Sequence, residues 1–345
     1  MSPRGTEPAE RRSHPTILDV AERAGVSKSL VSLVMRGSPR VSEEKRTAVL
    51  RAAEELHYRP NAVARSLVRK RSFLIGVMLS DLHNPFFVEV VDGIEQEAIA
   101  ADYHALFNTG GRTAEGESVA IETLLQLRTD GLILASSVLP AREILAAAAT
   151  TQVVLVARPS RWAEVDSVTN DDRAGARMAV EHLIELGHRR IAQLGSRVQY
   201  PTFQIRMARW RAALSSVGVE PSDLLRAGSG FDFDDACRAA LTLLDVPDPP
   251  TAILCDGDIL AGGVYLAARE LGVRIPEDVS VVGFDDLPFA RVFSPPLTTL
   301  RADAPELGAV AFRALAAVMA GEEVGGQTLP VDLVVRESTA PPRHR

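Results

Sequence analysis

From Phe73 onward the chain alternates between two kinds of segment. Short apolar, β-rich runs, LIGVML (74–79), HALFNT (104–109), GLILAS (131–136) and VVLVA (153–157), are separated by helical patterns at about 86–101, 114–127 and 140–149. A second series, RIAQLG (190–195), TAILCD (251–256) and VSVVGF (279–284), repeats the arrangement. Strands joined through helix-length crossovers pair in parallel, because each crossover returns the chain to the same end of the sheet while its helix covers a face. The alternation fills most of a 345-residue chain. That is too much for one sheet, so two similar α/β lobes are expected.

The first seventy residues follow another pattern. Thr16, with Asp19 three residues on, has the form of a capping box before Val20 and Ala21. Ala24-Gly25-Val26 reads as a tight turn, and Ser27 as the N-cap of a helix over 28–35. Ser42, followed by Glu43 and Glu44, is expected to cap a third helix over 43–56. Its apolar positions, Val49, Leu50, Ala53 and Leu56, recur at helical spacing. Pro60 ends that run, and a basic stretch from Asn61 to Arg71 follows.

Charge separates the two regions. The net −7 hides an asymmetry: residues 1–72 carry 15 Lys and Arg against 8 Asp and Glu, leaving 23 basic and 37 acidic groups in the rest. A basic head on an acidic body points to a nucleic-acid partner. Cys237 and Cys255 lie in apolar or helical stretches without metal-ligand spacing, and read as two buried, reduced thiols. The N-terminus has no apolar core of a signal peptide. No run approaches the roughly 18 apolar residues of a membrane span. A soluble, cytoplasmic protein without membrane contact, metal or cofactor is expected.

Two helices joined by a short glycine-containing turn have the form of a helix-turn-helix, whose second helix enters the major groove of double-stranded DNA. Here that helix would present Ser27, Lys28, Ser29 and Ser32. The run TILDVAERAGVSKSLVSLVMRG (16–37) resembles the N-terminal signature of the LacI/GalR family of transcriptional regulators. Val41-Ser42 and LHYRPNAVARSL (56–67) continue the resemblance in register. It implies DNA contacts from Thr16, Ser27, Lys28, Ser29, Ser32, Leu33 and Arg36, and from a hinge helix carrying Asn61, Ala64, Arg65 and Leu67. In that family the hinge folds when two subunits bind an operator, and a leucine, here Leu67, wedges into the minor groove and kinks the duplex. Members commonly have Thr, Arg and Asn where this chain has Leu30, Leu33 and Arg36. Leucine offers only apolar contact, so a thymine methyl is expected opposite Leu33.

The body resembles the family's effector domain, similar in fold to periplasmic sugar-binding proteins. The matching segments are DLHNPFF (81–87), DGLIL (130–134), DDRAGA (171–176), LGHRRI (186–191), RMARW (206–210), LGVRIPEDVSVVGFDD (271–286) and PPLTTL (295–300). In open α/β sheets ligands sit beyond the carboxyl ends of the strands. Asp81, Asn84 and Phe86 follow the first strand, Arg158 the fourth, Asp256 and Asp258 TAILC, and Asp285 VSVVGF, while Arg206 opens a helix of the second lobe. Carboxylates accept from hydroxyls, arginine donates in a planar fork and phenylalanine stacks on C–H faces, a set suited to a polar ligand such as a sugar. The resemblance assigns effector contact to Phe86, Phe87, Arg158, Arg206 and Asp285. Gly257-Asp258 stands where relatives usually read Asn-Asp, so one ligand-binding amide is missing. His83 and His188 are lone histidines, read as cap or turn residues.

A transport solute-binding protein would share this body, but it needs a signal peptide and has no use for a basic head. An enzyme is excluded by the lack of G-x-S-x-G, Walker, H-E-x-x-H and G-x-G-x-x-G motifs in the required context. The expected architecture is a helix-turn-helix head at 1–60, a hinge at 61–72 and a two-lobed, parallel-sheet effector domain at 73–340. Its near lobe is expected at 73–159 and 290–324, and its far lobe at 160–289 and 325–340. The expected function is that of a homodimeric regulator, a repressor, reading a near-palindromic operator under control of a small-molecule effector.

Overall fold

The computed structural model describes residues 15–35, 38–58, 71–196, 201–219 and 226–343. The chain divides into two compact units, with the boundary between Ser72 and Phe73.

In the first unit, helices α1 (Ile17–Arg23), α2 (Lys28–Met35) and α3 (Glu43–Glu55) enclose a small core of Val20, Ala21, Val31, Val34, Val41, Val49, Ala52 and Ala53. The capping box forms: the Asp19 carboxylate accepts from the Thr16 N–H at 2.6 Å, and the Thr16 hydroxyl oxygen accepts from the Asp19 N–H at 3.4 Å. Gly25 takes φ +64° in the turn, where a side chain would be strained. The Ser27 hydroxyl accepts from the Leu30 N–H at 3.2 Å. Two expectations fail here. Ser42 occupies the N-cap of α3 without a side-chain cap bond, so the acidic first turn, Glu43 and Glu44, meets the helix dipole instead. Leu50 is exposed and Ala52 takes its place in the core, because the buried stripe runs through 49, 52, 53 and 56.

The second unit holds two six-stranded sheets. Strands β1 (Leu74–Leu79), β2 (His104–Thr109), β3 (Gly131–Ala135), β4 (Gln152–Val156), β5 (Asp166–Asn170) and β11 (Gln327–Leu329) form the near-lobe sheet, ordered β11-β5-β4-β3-β1-β2 and parallel throughout. Helices α4 (Pro85–Ala100), α5 (Ala114–Gln126), α6 (Ala141–Ala148) and α11 (Ala304–Met319) cover it. The far-lobe sheet is β12-β10-β9-β8-β6-β7, from β6 (Ile191–Ser196), β7 (Arg226–Ser229), β8 (Ala252–Cys255), β9 (Ser280–Asp285), β10 (Thr298–Ala302) and β12 (Val331–Val334). Only β12, on the edge, runs antiparallel. Helices α7 (Asp172–Glu185), α8 (Pro201–Ser216), α9 (Phe233–Leu244) and α10 (Asp258–Leu271) complete that lobe.

The apolar runs reflect burial on both faces. Ile75, Val77 and Leu79 of β1 join the larger core, while Met78 turns into the core beneath α5 and α6. Helices α4 and α11 cross at two glycines: a Cβ on Gly93 would lie 1.9 Å from the Pro305 carbonyl oxygen, and one on Gly308 2.0 Å from that of Val90.

The chain passes between sheets at Asn170–Asp172, Ala302–Ala304 and Leu329–Val331. The lobe limits expected at 159/160, 289/290 and 324/325 are therefore displaced. β5 belongs to the near sheet, β10 to the far sheet and β11 to the near sheet. Two crossings end on capping aspartates: Asp171 accepts from the Ala174 N–H at 2.9 Å, and Asp303 from the Glu306 N–H at 3.0 Å. Each cap restarts a helix as soon as the chain has changed lobe. Cys255 is buried but Cys237 only partly so, a correction to the expected pair of buried thiols. Among the described residues no helix is long and apolar enough to cross a membrane.

Candidate functional site

In the head, Ser27, Lys28 and Ser29 are exposed at the start of α2, whose first turn holds no acid. Lys28, Ser29, Ser32 and Leu33 line a shallow hollow with Ile17. Leu33 is half-buried, packing partly on the head core while it lines the hollow. Thr16 is exposed, with its hydroxyl engaged in the capping box. Arg36, Asn61, Ala64, Arg65 and Leu67 lie outside the described residues.

In the body, the far-lobe strands end in a group of buried charges. Arg206 is the sixth residue of α8 rather than its opening residue, and its side chain is 4% exposed. Its Nε donates to Asp172 at 3.2 Å, and its Nη1 to both the carbonyl and the Oδ1 of Asp256 at 3.0 Å. The guanidinium stands 3.4 Å from the Phe284 ring centre. Asp285 ends β9 at φ +105°, is 8% exposed, and has no hydrogen-bond or ion-pair partner among the described residues. Burial pushes its carboxyl up to about 7; Arg206 opposes this, and Asp172 and Glu89 add to it. Burial likewise pushes Asp256 up to about 8 against the pull of Arg206. Asp258 is spent structurally: its carboxylate accepts from the Leu287 N–H at 2.7 Å and the Thr299 hydroxyl at 2.6 Å. Burial raises it well above the usual range.

The near-lobe wall is fixed differently. Arg158 is half-buried, and its Nη1 donates to the Ser137 and Leu139 carbonyls, both at 2.7 Å. From the other side Glu117 accepts from the Ser80 hydroxyl, the Ser137 hydroxyl at 2.7 Å and the Val138 N–H at 2.9 Å. Segment 137–139 is thus clamped between a carboxylate and a guanidinium. Asp81 is buried and paired to Arg112 at 2.8 Å and to the His83 ring at 2.9 Å. Asn84 caps α4 through the Phe86 N–H at 3.0 Å. Phe86 and Phe87 are both buried, edge to face at 5.6 Å.

Comparison with known proteins places this geometry. Residues 16–61 match the family described as bacterial regulatory proteins, lacI family, and residues 180–339 the periplasmic binding protein-like domain. The HTH-type transcriptional repressor PurR of Erwinia tasmaniensis is 34% identical over 330 residues, covering 94% of this chain and 97% of that protein. The chain belongs to the LacI family. The ribose operon repressor of Haemophilus influenzae is 33% identical over 325 residues, covering 94% and 98%. Among solved structures, the lac repressor dimer bound to operator and the anti-inducer ONPF is 31% identical, with a TM-score of 0.85, covering 95% of this chain and 100% of that one. These relatives are repressors, and this LacI-family protein is a regulator with a DNA-binding head and an effector-type body, not an enzyme.

Of the effector residues expected from sequence, Arg206 and Asp285 come together in the far lobe, while Arg158 is held in the near lobe by the Ser137 and Leu139 carbonyls. Asp81, Asn84 and Asp258 are occupied by local bonds, and Phe86 and Phe87 by packing. Sequence reasoning missed Asp172 and Glu117. Each lies in the first turn of a helix beside a second acid, Asp171 and Glu115, and nothing in the string tells the pair apart.

Proposed function

We propose that this LacI-family regulator binds a near-palindromic operator as a homodimer in the cytoplasm. A small polar metabolite held between the lobes of its body sets its affinity for that operator. The observation that carries the reading is Asp285, a nearly buried carboxylate without a partner among the described residues, at the carboxyl end of β9 and within the field of Arg206. A buried, unpaired acceptor is costly, and a ligand that donates to it recovers that cost. Lys28 at the start of α2, with Ser27 and Ser29, offers donors to phosphate and base edges where the helix dipole favours an anion. The half-buried Leu33 supplies an apolar edge that fits a thymine methyl. Asn61, Ala64, Arg65 and Leu67 form the hinge contact, and ligand and operator are linked through it. Support comes from the lac repressor neighbour, which was solved as a dimer with operator and a small-molecule anti-inducer.

The test is selection of purified protein against a random DNA pool. A palindrome should be enriched, and Leu33→Arg should change the preferred base within each half-site. Salt-driven retention of all sequences alike would overturn the reading.

A further inference from the structure

The acids of the far-lobe wall outnumber its cation. Among the described residues Arg206 is the positive group whose charge acts on both Asp256 and Asp285, while the exposed Arg209 acts on Asp172; Asp172 acts on both as well, and Glu89 reaches Asp285 from α4 of the near lobe. Arg206 has committed Nε to Asp172 and Nη1 to Asp256, so two carboxylates already share its charge. Two acceptors remain. The Oδ2 of Asp256 is wholly buried and unpartnered, and the Asp285 carboxylate, 8% exposed, has no partner among the described residues. A buried excess of negative charge is relieved only by taking up protons or by a cation.

The wall next to Asp285 is apolar and tightly formed. A Cβ on Gly257 would stand 2.9 Å from Cζ of Phe231 and 3.6 Å from Oδ2 of Asp285, so ring and carboxylate border the same point. Phe231 stacks on Phe203 at 5.2 Å between ring centres. The missing side chain at Gly257 is what lets the ring approach.

We propose that the effector carries a protonated amine, an amino sugar or a comparable polar amine, whose nitrogen pairs with Asp285 while its carbon frame lies against Phe231 and Phe203. This rests on the reading of the cleft as the effector site and narrows it. With Asp256 holding a proton and Asp172 paired to Arg206, the charge left over is that of Asp285; a neutral polyol would leave it in place, and an anion would add to it. Because Asp285 must give up its proton to pair with an ammonium, binding tightens as pH rises from 6 to 8. The groups facing Asp285 in that titration are Arg206, Asp172 and Glu89, together with Asp256 and Asp258, whose carboxyls are raised further by its charge.

The experiment uses the full chain and a small-molecule extract of bacterial cells, separated by ion exchange at neutral pH into cationic, neutral and anionic fractions. Each is added in a thermal-melt assay at pH 7.5. The cationic fraction should raise Tm by about 5 °C once its active component reaches some hundredfold its Kd. The shift should shrink at pH 6 and vanish in Asp285→Asn. A shift given by the neutral or anionic fraction alone overturns the amine assignment and leaves the effector site standing. No shift from any fraction overturns the effector reading itself. The comparison of fractions on the wild-type chain decides even where Asp285→Asn does not fold.

Discussion

Asp256 gives the sharpest test of how the buried charges are arranged. It is fully buried, with Oδ1 on Arg206 and Oδ2 unpartnered. Burial moves its carboxyl from an ordinary 3.8 up to about 8. The native state therefore keeps a proton that the unfolded chain releases near pH 4. Stability is fully present below that value and is lost as pH rises towards 8. At about 1.4 kcal/mol per unit, the whole window amounts to roughly 5–6 kcal/mol. Asp172 and Asp285 share the same protons, so the part belonging to Asp256 is about half, roughly 2–3 kcal/mol. In a domain of this size that corresponds to about 5–8 °C in Tm. Asp256→Asn keeps the acceptor for Arg206 and removes the titration. Its amide meets no acceptor where Oδ2 now lies, which lowers the melting curve by the same amount at every pH. Melts of both proteins from pH 5 to 9 should show the wild type falling more steeply, the gap closing by that amount towards pH 9. Parallel curves would mean that Asp256 is ionised in the folded chain throughout, and the account of the cluster would be wrong.

Two further perturbations probe parts of the body away from the Arg206 cluster. His188 is buried, bonded to Thr251, Ser280 and the Ala340 carbonyl, and burial pushes it down to about 4; its stabilising effect holds above pH 6.5 and is lost as pH falls towards 4, by about 2–3 kcal/mol. Melts of the wild type from pH 7 to 4.5 should therefore drop more than those of His188→Gln, and an equal drop would remove this histidine from the acid response. Gly93→Ala drives a methyl to 1.9 Å from the Pro305 carbonyl oxygen; the overpacking should outweigh the gain in helix propensity by about 1–2 kcal/mol, and a Tm at or above wild type would show that α4 and α11 separate freely.

What could be read from the sequence was decided by burial on both faces. LIGVML, GLILAS and VVLVA are apolar throughout because both sides of β1, β3 and β4 are covered, and such runs announce themselves. DSVTN became β5 without that signal: Asp166 and Thr169 are half-exposed towards the edge, where β11 adds only three residues. Missing β5, β10 and β11 displaced all three crossings, since Asp171 and Asp303 look like any helix cap. The site was legible to the same depth. The rule that ligands lie beyond strand ends picked out Asp285, and equally Asp81 and Asp258, because position after a strand is all the string contains, whereas Arg206 came from its place on a helix and from the family resemblance. What separates them is whether a donor stands within reach. Asp258 meets Thr299, forty-one positions away, and Asp81 meets Arg112 across the head of the near-lobe sheet. Asp285 meets no donor among the described residues. Asp285 also holds a φ of +105° at the end of β9, a sparsely populated conformation of the kind that gathers at ligand sites. The open acid is therefore set apart by finding no donor among the described residues, which is the feature the proposed effector would answer.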